Sequence, residues 1–164
     1  FDERKQPYLE SGTQSAFTLR DLFGGLPLPP TGGLDTYVLC DVFGATRVTR
    51  ADGSSVNAGA PILYYKADPS GRFNNPAVAP TMTPTNNQGN IYNYMDNLTI
   101  VLFKEAKDGA STPAFSDYTT FYEYIKDPKI AAKDTPYNAS SYILISAGPD
   151  GTYGTPDDIR NFGD

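Results

Sequence analysis

Glycine and proline interrupt this chain at 29 of its 164 positions. Glycine loses the most freedom on ordering, and proline fixes φ and lacks an amide proton. A large share of the chain must therefore be turn and loop. Hydrophobic residues make up 39% and charged residues 20%, which is the balance of a folded globular chain and not of a disordered one. The length suits one domain with a real core, and we assign 1–164 to it. Twelve tyrosines and nine phenylalanines, with no tryptophan and no histidine, lean toward an extracytoplasmic or structural protein rather than a metabolic enzyme.

Short elements can be placed between the breaks. The charged stretch 1–10 reads as the tail of a helix that Pro7 ends. Ser15 to Phe23 reads as a second helix stopped by Gly24-Gly25, followed by a Pro/Gly linker over 26–33. Tyr37 to Phe43 is strand-like, and Val48 to Ala60 is a polar insertion with a hairpin turn at Ala51-Asp52-Gly53-Ser54. Pro61 to Lys66, aromatic and branched, is the clearest strand, and Ala67 to Gly71 ends it. A long Asn/Pro/Thr loop covers 73–90. Leu98 to Phe103 is ambiguous, strand-like or buried. Ser116 to Ile125 reads as a helix capped by Ser116, with Phe115, Tyr118, Phe121, Tyr122 and Ile125 near one face. Tyr142 to Ser146 is the last strand. Helices that gather early and strands that gather late predict an α+β fold with an antiparallel sheet.

Charge excludes some partners. With a net charge of −6 and no Lys/Arg cluster, the chain lacks the basic face that phosphate neutralisation requires. Nucleic acid and anionic membrane surfaces are disfavoured, and no segment approaches the ~20 apolar residues of a membrane span. The single cysteine, Cys40, sits in an apolar run and reads as a buried small residue; a catalytic thiol would want a histidine base. Asp117 and Glu123 share neither a face nor a hydrolase motif, so we expect no enzyme. Tyr64, Tyr65, Tyr92, Tyr94, Tyr118, Tyr122 and Tyr124 read as core and subunit interface before a sugar-binding face.

The C-terminus concentrates chemistry. A short apolar strand, Tyr142 to Ser146, runs into a loop where Asp150, Asp157 and Asp158 lie among Gly148, Gly151 and Gly154. Crowded carboxylates repel, and a divalent cation relieves the repulsion. The loop has no histidine or cysteine, which disfavours zinc and copper, and calcium accepts oxygen ligands in flexible geometry where magnesium wants a strict octahedron. The Asp-x-Asp-x-Asp-Gly spacing of an EF-hand is absent. The same residues also make an ordinary solvated turn.

Gly148-Pro149-Asp150-Gly151, followed by Gly154-Thr155-Pro156-Asp157-Asp158-Ile159-Arg160-Asn161-Phe162, resembles the C-terminal calcium loop of the major pseudopilins of type II secretion systems. It is closer still to the prepilin-type proteins with a type IV pilin N-terminus. In that family the loop follows a strand ending in Ser-x-Gly, as Ser146-Ala147-Gly148 does here. Asp41-Val42-Phe43-Gly44, then Pro61-Ile62-Leu63-Tyr64-Tyr65 after the insertion, is similar to the family's Asp-Pro-Trp-Gly-x-Pro-Tyr strand pair, with Phe43 where tryptophan is usual.

The resemblance implies a pilin-like fold, a helical spine packed on a small antiparallel sheet. Residues 1–12 would be the tail of the spine helix and 142–164 the last strand with its calcium loop. It implies a Ca2+ ligand set of Asp150, Asp157 and Asp158, the hydroxyl of Thr155, and the carbonyls of Ala147 and Thr152. It implies a structural subunit of a periplasmic or cell-surface filament, a homo-oligomer with other pilin-like subunits, serving type II protein secretion or fibre assembly. Membrane contact would come only through a helix that this sequence does not contain. The competing expectations are a secreted calcium-dependent module binding carbohydrate or protein, and a filament subunit that assembles without a membrane helix.

Overall fold

The computed structural model describes residues 16–24, 26, 34–43, 46–50, 52–77, 89–108, 115, 117–130 and 134–163. The expected helix tail over 1–12, most of the linker 26–33 and the middle of the 73–90 loop lie outside them. The described architecture is mixed α and β, with small antiparallel sheets and short helices.

Strand β1 (Ala16–Thr18) leads directly into helix α1 (Leu19–Phe23). Thr18 decides the changeover. Its hydroxyl accepts from the Asp21 amide at 3.0 Å, and the Asp21 carboxylate accepts from the Thr18 amide at 3.1 Å. This reciprocal cap starts the helix at Leu19 and frees the three residues before it to pair with β2 (Tyr37–Leu39). The helix expected over 15–23 is therefore half that length. Strands β3 (Thr46–Thr49) and β4 (Ser55–Ala58) form a hairpin, so the polar insertion is a regular ladder that buries Val48 and Ala58. Its turn is the expected one, with Gly53 at φ +83°.

Strand β5 (Leu63–Lys66) forms where the sequence places its clearest strand, and it alternates buried and exposed residues. It pairs with β6 (Tyr142–Ser146), which pairs with β7 (Ile159–Arg160). Tyr142–Ser146 is thus not the last strand: the chain returns after the acidic loop and lays Ile159 against Ser146.

The ambiguous stretch is helical. After a 3-10 turn at Tyr94–Asp96, helix α2 spans Leu98–Asp108. A strand would send Leu98, Ile100 and Leu102 to one side. The helix instead sets Leu98 and Val101 in the main core and Phe103 in the second cluster, with Ile100 touching both. The core on each side of it favours the 3.6-residue period. Helix α3 (Tyr118–Tyr124) begins on Asp117, whose carboxylate accepts from the Thr120 amide at 2.9 Å; Ser116, the expected cap, lies outside the described residues. Helix α1 falls early, as the sequence suggested, but α2 and α3 lie between β5 and β6, so strands are found on both sides of the longer helices.

Most of the tyrosines are core. Tyr65, Tyr92, Tyr94 and Tyr122 are buried around Phe115 and Phe121, whose rings meet edge-on with centroids 5.7 Å apart. The hydroxyls of Tyr94 and Tyr122 reach backbone oxygens, of Phe115 at 2.8 Å and of Tyr92 at 3.2 Å, whereas the Tyr65 hydroxyl is buried without a hydrogen-bond partner. This leaves Tyr64 and Tyr142 as the exposed ring pair of the sheet. Cys40 is buried as expected, and burial with the neighbouring Asp41 pushes its thiol up to about 12. Among the described residues no helix is long and apolar enough to cross a membrane.

Candidate metal loop

The loop between β6 and β7 turns on Gly148, at φ +61°. A Cβ there would stand 2.2 Å from the Asp157 carbonyl oxygen, so only glycine lets the two arms of the loop approach. The arms are then laced together. The Asp150 amide donates to Asp157 Oδ2 at 3.0 Å. The Thr155 hydroxyl lies against Asp157 Oδ1 and is 3.1 Å from the Thr152 carbonyl. The Thr152 amide donates to Asp150 Oδ1 at 2.7 Å. Hydrogen bonds from Thr155 and from the Asp150 amide hold the Asp157 carboxyl below its ordinary value.

Asp158 faces other partners. Its Oδ2 accepts from the Gly154 amide at 2.8 Å and from the Tyr124 hydroxyl on α3. Its Oδ1 is buried with no hydrogen-bond partner. Burial pushes this carboxyl above its ordinary value, against the pull of Tyr124 and the loop amides. The structure thus joins Asp150, Thr152, Thr155 and Asp157 in one hydrogen-bonded knot and turns Asp158 toward the core. Ala147 lies fully buried at the end of β6. Among the described residues no three acidic, histidine or cysteine side chains converge on one point. The donors are all oxygens of the kind a hard cation takes, and the unpartnered Asp158 Oδ1 is an anionic oxygen without a compensating neighbour. In kind, the set fits calcium.

Three residues that local sequence did not mark hold the loop to the body. Lys104, on α2, donates its ammonium to the Gly151 carbonyl at 2.8 Å. Tyr153, buried beside Phe115, reaches the Pro61 carbonyl with its hydroxyl. Arg160 lies over the rings of Tyr124 and Phe162 at 5.1 and 5.3 Å. Lys104 is 47 residues away from its acceptor, and nothing in its own neighbourhood signals the contact.

Against the C-terminal end of β6, where the loop begins, sits Asp41. It is buried: Oδ1 accepts from the amides of Phe43 at 3.2 Å and Ala60 at 3.1 Å, and Oδ2 accepts from the Ser146 hydroxyl at 2.7 Å. Ser146 Oγ in turn accepts from the Gly148 amide at 3.3 Å. A Cβ on Gly59 would stand 2.2 Å from Asp41 Oδ1, so this bracket also requires a glycine. Asp41 and Ser146-Ala147-Gly148, separated by about a hundred residues, are therefore joined through one hydroxyl. Asn97 is likewise a structural residue, buried with its amide on the Tyr64 carbonyl at 2.7 Å.

No family model, curated protein or solved structure matches the chain.

Proposed function

We propose that the chain is the globular part of an extracytoplasmic filament subunit of the pilus or pseudopilus type, stabilised by calcium and structural rather than catalytic. It would serve type II protein secretion or surface-fibre assembly in the periplasm or at the cell surface. One observation carries the reading. The two segments that resemble the family's motifs, Asp41-Val42-Phe43 and Ser146-Ala147-Gly148, meet through the Asp41–Ser146–Gly148 hydrogen bonds at the root of the acidic loop. The reading is thus supported by two segments that the fold brings together as well as by two short strings of residues.

In this reading Asp150, Asp157 and Asp158, with Thr155 and the carbonyls of Ala147 and Thr152, would hold the ion. Calcium supplies positive charge that offsets the crowded carboxylates and fixes a glycine-rich turn. The protein's own contribution is to bring the oxygens together: Gly148 sets the arms at contact distance, and Lys104 and Tyr124 tie the loop to α2 and α3.

The test is thermal. At a hundredfold excess over its dissociation constant, calcium should add about 2.7 kcal/mol and raise Tm by roughly 5–10 °C relative to chelator. Asp150→Ala should abolish that gain. Equal melting of the wild type with calcium and with chelator would remove the calcium reading.

A further inference from the structure

Among the described residues, the sheet has an outer face that carries several exposed large apolar side chains. Strand β2 continues past its own ladder: Cys40 bridges to Pro61, the Ile62 amide donates to the Leu39 carbonyl at 2.7 Å, and the Asp41 amide donates to the Ala60 carbonyl at 2.9 Å. This joins the β1–β2 ladder to the β5–β6–β7 sheet. The pleat then fixes which residues share a side. Cys40, Pro61, Leu63 and Tyr65 point into the core. Leu39 and Ile62 point out, and with them Tyr37 on β2 and Tyr64 on β5. Tyr64 opposes Leu144 and Lys66 opposes Tyr142, so the side continues across β6, and Ile159 extends it onto β7.

These outward side chains are large, apolar and exposed: Tyr37 68%, Ile159 52%, Tyr64 49%, Leu39 44% and Tyr142 43%. Taking ~200 Å² for a fully exposed tyrosine side chain, the three tyrosines present roughly 300 Å². With Leu39 and Ile159 the patch reaches roughly 450 Å², about half of the ~800 Å² that each partner contributes to a standard interface. Scattered apolar residues need no explanation; side chains gathered on neighbouring strands, as Tyr64 and Tyr142 are with ring centroids 5.8 Å apart, form the kind of patch that is often functional.

Charge identifies the occupant. The chain carries 19 acidic residues and a net charge of −6, so two copies repel wherever acidic surfaces meet. The outward positions of these strands hold one carboxylate, Asp41, and it is buried and hydrogen-bonded; the exposed charge among them is Lys66. This is a face on which a second copy can sit without bringing carboxylates together. We infer that the outer face of β2, β5, β6 and β7 is a self-association surface that packs against another copy of this chain through Tyr37, Leu39, Tyr64, Tyr142 and Ile159. The inference names a lateral surface for the proposed filament subunit, but it stands on the sheet itself and needs no bound ion.

Sedimentation equilibrium on the whole chain, over a concentration series and in both calcium and chelator, tests it. The wild type should self-associate in a concentration-dependent way in both solutions. Tyr64→Glu combined with Leu39→Glu should weaken association at least about tenfold, and its melting should show that the fold is intact. The control Arg47→Glu, an exposed position on β3 and not on any of these four strands, should leave association unchanged. A monomeric wild type at every concentration would overturn the surface, as would association equal in the double variant and the wild type. A calcium-dependent Tm gain in a protein that stays monomeric would overturn this inference alone. Self-association without any Tm gain would overturn the calcium reading alone.

Discussion

Among the described residues an Asp-Gly turn occurs twice, alike in local geometry and different in its surroundings. In the β3–β4 hairpin, Asp52 Oδ1 accepts from the Ser54 amide at 2.8 Å and Gly53 lies at φ +83°. In the β6–β7 loop, Asp150 Oδ1 accepts from the Thr152 amide at 2.7 Å and Gly151 lies at φ +72°. Locally these are the same turn, a carboxylate bonding the amide two residues on while glycine takes the left-handed conformation. A Cβ on Gly53 would meet nothing within 4 Å. The second turn is gripped from outside by Lys104, Tyr124 and Tyr153, and crowded within by the approach of Gly148 to Asp157. The difference teaches that acidic turn chemistry becomes a candidate site only where the body of the protein holds the turn in place.

The sharpest way to break the comparison is at the glycines. Alanine at Gly148 must adopt a left-handed conformation and also displace the Asp157 carbonyl, so Gly148→Ala should cost about 3–5 kcal/mol. Gly53→Ala carries only the conformational penalty, about 1 kcal/mol. Urea denaturation of both variants measures the gap; equal losses would mean that the second loop is no more constrained than the first.

The carboxylates give the next effect. Asp158→Ala removes the acceptor of the Tyr124 hydroxyl and the Gly154 amide and should cost about 2–3 kcal/mol in chelator. Asp52→Ala, on an exposed turn, should produce a smaller change in the same denaturation assay. If the two lose the same stability, the tie between Asp158 and α3 contributes nothing.

The smallest effect is one of sign. The Asp52 carboxyl lies below its ordinary value because Ser54 hydrogen-bonds it, and Asp157 does so because of Thr155 and the Asp150 amide. Both contributions are present above the unfolded value and fade as pH falls through the folded one. Asp158, raised by burial, has the reverse linkage: its contribution is full at low pH and is lost as pH rises through its folded value. Carboxyl-carbon NMR titration in chelator should place Asp158 above the ordinary 3.8 and Asp52 and Asp157 below it. A common value for all three would erase the distinction between the loops.

Much of the local structure was legible. The β5 strand, the Asp52-Gly53 turn and the burial of Cys40 follow from propensity and turn chemistry over a few residues. What failed failed for tertiary reasons. Leu98 to Phe103 is equally apolar as a strand or as a helix, and two cores on either side of it selected the helix. Tyr142–Ser146 looked terminal because Ile159 and Arg160 are too few to announce a strand; they pair only because the loop returns them to β6. In the candidate site, the residue types and the glycines were readable, since calcium chemistry and left-handed backbone are properties of residue type. The holders Lys104 and Tyr124 were not, because each acts across more than thirty positions.

By itself, then, the sequence determined a set of short elements with antiparallel pairing, an acidic composition without a Lys/Arg cluster, and a glycine-rich oxygen-donor loop at the end of an apolar strand. Only the tertiary structure decided which carboxylates share that loop, which one turns to the core, and that Asp41 reaches Ser146. It also decided which side of the sheet stays bare. The physical reason is range: turns and periods are set by neighbours a few bonds away, whereas a site and a surface depend on contacts whose loops close only when the whole core has packed.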